Sequence, residues 1–242
     1  MHAKKSPGAA LVTGAARRIG HSIALALAAR GYDIALHYNR SEKEAVKTAA
    51  MVRRKNTRCE IFHCDLAGGK DISLMMDEIT EKFSNLNLII NNASVFLPSR
   101  LDFRGMQLFD LHMAVNLHAP YIITAKFAQL HRKGHIINLL DAGIVRNKTK
   151  YLAYLLSKKA LAEFTKMSAA VLGPHIRVNG VAPDLILPPE NKNIHYLERR
   201  SRAIPLRRRG CAENILQSIN FLLDDNYITG QILFIDGGES LL

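Results

Sequence analysis

The sequence predicts an α/β protein: a single domain on a doubly wound parallel sheet of about seven strands, with helices on both faces. Two observations predict it. Strand-type and helix-type runs alternate along all 242 residues, and parallel strands need such crossovers. No long polar linker, internal repeat or low-complexity tract interrupts them, and the length suits one domain.

The elements follow in order. The apolar run Ala9–Thr13 ends at Gly14, and Arg18–Arg30 carries helical apolar spacing up to a stop at Gly31. Asp33–Tyr38 reads as a strand, with Ser41 as N-cap for a helix over Glu42–Lys55. Arg58–Cys64 is a strand and Asp71–Phe83 a helix. Leu86–Asn91 is almost wholly apolar, as a strand buried on both faces should be. Gln107–Arg132 reads as one long helix, His135–Leu140 as a strand, and Leu152–Leu172 as a helix stopped by Gly173-Pro174. Ile176–Ala182 is a strand, Asp184–Leu206 is loop-like, Glu213–Leu223 is a helix and Gln231–Ile235 the last strand. A loop of that length is usually a lid or a binding loop, and a substrate lid is expected over about 184–210.

Composition narrows the function classes. The chain is 48% apolar, which excludes a disordered chain. No apolar run approaches the ~20 residues that cross a bilayer, so no membrane partner is expected. Met1–Gly8 carries no readable secretory signal. Three cysteines argue against a disulfide framework, and together these point to the cytoplasm. Cys59 and Cys64, five apart in a strand, face opposite ways and do not share a metal; no metal site is expected. The net charge of +12 invites a nucleic-acid reading. However, the basic residues are scattered except over 190–210, where Lys192, Arg199, Arg200, Arg202, Arg207, Arg208 and Arg209 face only Glu190 and Glu198. No nucleic-acid-binding motif accompanies them, and an anionic small ligand explains them equally well.

The first turn reads Thr13-Gly14-Ala15-Ala16-Arg17-Arg18-Ile19-Gly20. Small residues let the backbone approach a pyrophosphate, and the following helix offers free N–H groups. An NAD enzyme would end its second strand with Asp or Glu for the ribose 2′-hydroxyl. Here that strand ends His37-Tyr38-Asn39-Arg40-Ser41. Arg40, Ser41 and Arg18 suit a 2′-phosphate, so NADPH is the expected cofactor. Asp65, after the third strand, is placed to accept from an adenine amino group. Tyr154 and Lys158, four apart on a helix, share a face. A lysine cation beside a phenol is expected to lower the phenol's pKa, making Tyr154 an acid/base near neutrality.

Further motifs join these: Asn91-Asn92-Ala93-Ser94 closing the fourth strand, Asn116 in the next helix, Arg177-Val178-Asn179, and Asp236-Gly237-Gly238 after the last strand. With them the chain resembles the short-chain dehydrogenase/reductase family over nearly its whole length, which implies a Rossmann-like sheet, NADP(H) and a homotetramer. Where most of that family has a second Gly in the first turn, this chain has Arg18; where most have a catalytic Ser, it has Asp141. Both are similar to the pteridine reductase branch, as are His37-Tyr38-x-Arg40-Ser41 and the Phe96 that follows Ser94. One feature departs without helping: the usual Gly after Pro183 is Asp184.

The resemblance implies a role for each residue. Arg18, Tyr38, Arg40 and Ser41 meet the NADPH phosphates. Gly14, Arg17, Ile19, Gly20 and Asn39 line the same end, with Asp65 and Leu66 beside the adenine. Asn92, Ala93, Ser94 and Pro183 lie along the remainder of the cofactor. Asn116 and Lys158 hold a proton path, and Lys158 also holds the nicotinamide ribose. Tyr154 and Asp141 supply or relay the proton. Phe96 and the nicotinamide sandwich a flat pterin, with Ser94 and Arg18 touching its edge. The implied reaction is hydride transfer to a dihydropterin, and to dihydrofolate, giving the tetrahydro form. The alternative in the same family is a carbonyl reductase such as a 3-oxoacyl-[acyl-carrier-protein] reductase; from another class, a non-catalytic NADPH-sensing regulator. The basic stretch reads either as solvated surface or as a lid whose arginines meet a substrate's anionic tail.

Overall fold

The computed structural model describes residues 6–147, 149–188 and 193–242. Glu190 and Lys192, counted in the basic stretch, lie outside the described residues. Seven strands form one parallel sheet in the order β3-β2-β1-β4-β5-β6-β7. They are β1 (Ala9–Val12), β2 (Asp33–Tyr38), β3 (Cys59–His63), β4 (Leu86–Asn91), β5 (Gly134–Leu139), β6 (Ile176–Pro183) and β7 (Ile232–Ile235). Helices α1 (Arg18–Ala29), α2 (Glu42–Arg53), α3 (Gly69–Lys82), α4 (Met106–Met113), α5 (Ala119–Leu130), α6 (Leu152–Leu172), α7 (Ile194–Ser201) and α8 (Ala212–Asp224) connect or flank them.

Strand pleating divides the apolar residues between two faces. Ala10, Val12, Leu36 and Ile90 pack with Ile23 and Leu27 of α1 and Ile215 and Ile219 of α8. Leu11, Ile89, Ile136 and Val178 pack with Ile72 and Met76 of α3 and Ile123 and Phe127 of α5. Cys59 joins the first cluster and Cys64 the second, so they face opposite ways as expected. Among the described residues no helix is long and apolar enough to cross a membrane. The chain reverses direction across the sheet at β1, between β2 and β4. The crevice beyond the carboxyl ends of the strands at such a reversal is where α/β sheets bind ligands.

Three local expectations are corrected. The stretch read as one helix over Gln107–Arg132 is α4, a π-type turn over Ala114–His118, and α5. The stretch read as loop over Asp184–Leu206 contains α7. Leu197 is buried with Leu185 and Ile204, and Ile194 and Tyr196 pack beside them. Those apolar positions are few and sit among charges, so the helical period is weak in the sequence. Ser41 does precede α2, but its side chain makes no capping hydrogen bond.

Candidate active site

Six of the predicted site segments leave the sheet at its carboxyl edge. Gly14 follows β1, Tyr38 ends β2, Asp65 follows β3, Asn92 follows β4, Asp141 follows β5 and Pro183 ends β6.

The turn after β1 is built for close approach. Gly14 has φ 63, and a side chain there would press on the Ala93 backbone. A side chain on Gly20 would collide with the Gly14 carbonyl oxygen and the Asn92 amide. Arg18 adopts the left-handed region at φ 55, which costs a non-glycine residue ~1–2 kcal/mol. Its guanidinium donates to the Pro188 carbonyl at 2.8 Å, tying the turn to the loop beyond β6. Thr13 Oγ1 accepts from the Asn92 and Ala93 N–H groups at 2.9 and 3.0 Å. Asn92 Nδ2 returns a bond to the Thr13 carbonyl at 2.8 Å.

His37, noticed in the sequence only as part of a motif, locks this turn from below. Its Nδ1 accepts from the Gly14 N–H at 3.0 Å, which leaves Nε2–H to donate to the Cys64 carbonyl at 3.0 Å. Burial pushes its pKa down from 6.5 to about 4, so the ring is neutral and its tautomer fixed. Tyr38 is buried, Arg40 exposed and Asn39 half-buried. Asn39 donates to Asp65 Oδ1 at 3.1 Å, which also accepts from the Ala67 N–H. Arg17 and Ile19 begin α1 on the same rim, and Leu66 is buried beneath it. A glycine cradle, a helix N-terminus, Arg40 and a hydroxyl not engaged in capping fit a dinucleotide with a 2′-phosphate.

The chemical end gathers on α6. Tyr154 donates its hydroxyl to Asp141 Oδ2 at 2.7 Å, and Asp141 Oδ1 accepts from the Gly143 N–H at 2.7 Å. Lys158 is buried and donates to the Leu139 carbonyl at 2.7 Å. Desolvation lowers its pKa to about 8, against the pull of Asp141. The expectation that Lys158 lowers the Tyr154 pKa is overturned. Burial and then Asp141 raise it well above 10, because a phenolate there would be desolvated and would face a carboxylate. Tyr154 therefore holds its proton as a donor to Asp141.

Asn116 sits in the π-type turn. Its Oδ1 accepts from the Val95 N–H at 2.8 Å, and its Nδ2 donates to the Val95 carbonyl and to Ser157 Oγ, each at 3.0 Å. Ser157 Oγ in turn donates to the Tyr154 carbonyl at 2.7 Å. Asn116 thus fixes the segment bearing Ser94 and Phe96 rather than bonding Lys158 directly. Phe96 is half in solvent, stacked on Tyr151 with centroids 4.4 Å apart and edge-on to Tyr154 at 4.7 Å. Tyr151, at the N-cap of α6 three residues before Tyr154, was missed in the sequence, where a second aromatic that close to Tyr154 was the available signal. His112 is fully buried and accepts from the Leu97 N–H at 3.2 Å, so it is a packing residue.

A profile described as Enoyl-(Acyl carrier protein) reductase matches residues 14–240. The chain belongs to the short-chain dehydrogenase/reductase family. Pteridine reductase 1 of Leishmania tarentolae is 33% identical over 96% of this chain and 96% of its own length. The 3-oxoacyl-[acyl-carrier-protein] reductase FabG of Staphylococcus epidermidis is 30% identical, covering 95% of this chain and 97% of its own. FolM alternative dihydrofolate reductase 1 from Brucella canis, solved with NADP, superposes with a TM-score of 0.93 at 31% identity, over 98% of this chain and 95% of that one. As a short-chain dehydrogenase/reductase, the protein is an NAD(P)-dependent oxidoreductase with a Rossmann-like sheet.

Proposed function

We propose that the protein is an NADPH-dependent pteridine reductase, acting on dihydropterins and dihydrofolate. The observation that carries this reading is the 2.7 Å bond from Tyr154 to Asp141. A carboxyl at that position joined to the phenol forms a two-group proton store, suited to protonating a ring nitrogen. A ketone oxygen is better served by a hydroxyl donor, which this chain lacks at that place.

NADPH, when bound, supplies the hydride. Arg18, Tyr38, Arg40 and Ser41 take its phosphates. Lys158 faces the ribose, while Asn92, Ala93 and Pro183 flank the nicotinamide end. Phe96, with Tyr151 behind it, offers one flat face to the substrate ring, and Ser94 and Arg18 bound its edge. Tyr154 delivers a proton to the ring nitrogen beside the reduced carbon, and a proton taken up from solvent and relayed through Asp141 restores the phenol. We also assign a homotetramer, read out by light scattering on the purified protein.

The test is NADPH oxidation measured side by side with dihydrobiopterin, dihydrofolate and an acetoacetyl thioester. Turnover of the two pteridines with little on the thioester is expected. Preference for the thioester favours the 3-oxoacyl reductase reading, which the similarly close FabG relatives support. No turnover of any of the three overturns the proposal.

A further inference from the structure

Glu239, which no sequence motif singled out, lies in the short turn Glu239–Leu241 after β7. Its side chain is only 7% exposed. Arg146 Nη1 and Arg200 Nη2 both donate to its Oε1, at 2.8 and 2.6 Å. Arg146 caps the helical turn Ala142–Val145, and Arg200 lies in the last turn of α7. One carboxylate oxygen therefore joins the turn after β5 to helix α7.

The turn after β5 is also the seat of Asp141. The Asp141 carbonyl accepts from the Ile144 N–H at 3.1 Å, and the Gly143 carbonyl from the Arg146 N–H at 2.9 Å. Asp141 Oδ1 takes the Gly143 N–H while Oδ2 takes the Tyr154 hydroxyl. The backbone that carries Arg146 is thus hydrogen-bonded into the turn that aims Asp141 at Tyr154.

Neither arginine is held firmly elsewhere. Arg146 Nε and Nη2 are buried and have no hydrogen-bond partner among the described residues, so Glu239 is what holds that guanidinium. Arg200 has a second carboxylate, Asp184, only at 3.9 Å. From below, α7 is pinned by a small cluster in which Leu185, Leu197 and Ile204 are buried. Without the Glu239 charge, two guanidinium groups brought to one point would repel each other, and the more buried one would lose its bond.

We propose that Glu239 is a positioning residue for the reaction: through Arg146 its carboxylate braces the turn that aims Asp141, and through Arg200 it seats α7 within the stretch read as the substrate lid. The inference rests on the reading of Asp141 as proton relay for a pteridine.

Substitutions separate the two arms. Arg200→Gln frees α7 alone, so KM for dihydrobiopterin should rise about tenfold while kcat holds within about twofold. Arg146→Gln frees the turn alone, so kcat should fall ~10–100-fold with less change in KM, because small misplacements near the reacting groups are costly. Glu239→Gln should do both, and adding Arg200→Gln to it should raise KM no further. The dissociation constant of NADPH, read by fluorescence quenching, should stay within about twofold throughout, since Gly14 and Arg40 lie on other elements. A general loosening of the fold would move that constant with the others. Unchanged kcat and KM in Glu239→Gln overturn the inference, as do effects of Arg200→Gln that add in full on the Glu239→Gln background. If Glu239→Gln does not fold, the Arg146 and Arg200 variants decide: the split between kcat and KM supports the brace, and both variants moving the same constant overturns it. Limited trypsin digestion reads the brace without turnover. Cleavage after Arg199, relative to cleavage after the exposed Arg209, should be about tenfold faster in Glu239→Gln than in the unmodified protein; equal rates overturn the inference. If the unmodified protein turns over no pteridine, the functional reading has failed, and the trypsin result alone decides whether Glu239 holds α7.

Discussion

Replacing His37 by Gln should cost stability at neutral pH, and the cost should shrink as the solution is acidified. The imidazole accepts from the Gly14 N–H and donates to the Cys64 carbonyl, and it is 1% exposed. Gln cannot meet both partners from the same backbone position. Leaving one buried partner unmet costs ~1–3 kcal/mol. The pH dependence comes from the ring itself, whose pKa falls from 6.5 in the free state to about 4 in the fold. A depressed native pKa means the unfolded chain takes up the proton first. The stabilisation from the neutral ring is therefore complete above 6.5 and is lost as pH falls toward about 4. The loss is ~1.4 kcal/mol per pH unit, so about 2 kcal/mol is gone by pH ~5. Gln does not titrate, so the gap between variant and unmodified protein narrows by that amount. Subtracting the two cancels the other titrating groups, including His135, which burial lowers to about 3. Urea unfolding of both proteins at neutral pH and near pH ~5 measures it. A stability gap that does not change with pH would refute the assignment of a neutral, doubly bonded ring at this turn.

Three further outcomes are expected. Tyr154→Phe should bind NADPH, measured by quenching of cofactor fluorescence, while losing ~10²–10⁴ in turnover; near-normal turnover removes Tyr154 as the acid. Arg40→Asp should lower kcat/KM for NADPH by ~10–100-fold, since a charge-assisted bond worth ~1.5–3 kcal/mol is lost, and should reverse the cofactor preference; equal use of both cofactors by the unmodified protein refutes the phosphate site. Arg207, Arg208 and Arg209 are all exposed, and changing them together to Gln should shrink the salt dependence of KM for dihydrofolate relative to dihydrobiopterin, by up to ~tenfold; identical salt dependence of the two substrates leaves these charges as solvated surface.

The strands and the order of their crossovers were readable because each strand is a short apolar run between turn residues, and periodicity does not depend on distant contacts. Gly14, Arg40 and the Tyr154–Lys158 pair were singled out by their spacing and their place relative to those strands, and Asp141 by the family resemblance. What was misread depended on partners far away in sequence. Spacing put Lys158 beside the Tyr154 phenol, but Lys158 spends its proton on the Leu139 carbonyl and the phenol spends its own on Asp141. The bland acidic residue Glu239, next to the C-terminus, gathers Arg146 and Arg200 only after the fold is complete. Arg200 was counted among lid cations open to a substrate tail, whereas it is bound to Glu239. Helix α7 was hidden because the apolar positions that hold it down are few and lie among arginines.

The π-type turn over Ala114–His118 takes one extra residue into an otherwise continuous helical rod. The wider turn takes up that residue while the flanking helices stay nearly in phase, so deleting one residue here would regularise the backbone and remove the bulge that presents Asn116. Asn116 would then be unable to meet Val95 and Ser157 together, and the segment carrying Phe96 would lose its tether to α6. In this stretch the count of residues therefore matters more than their chemical character: a conservative substitution leaves the bulge untouched, whereas a single deletion uncouples the substrate wall from the helix that carries the proton donor.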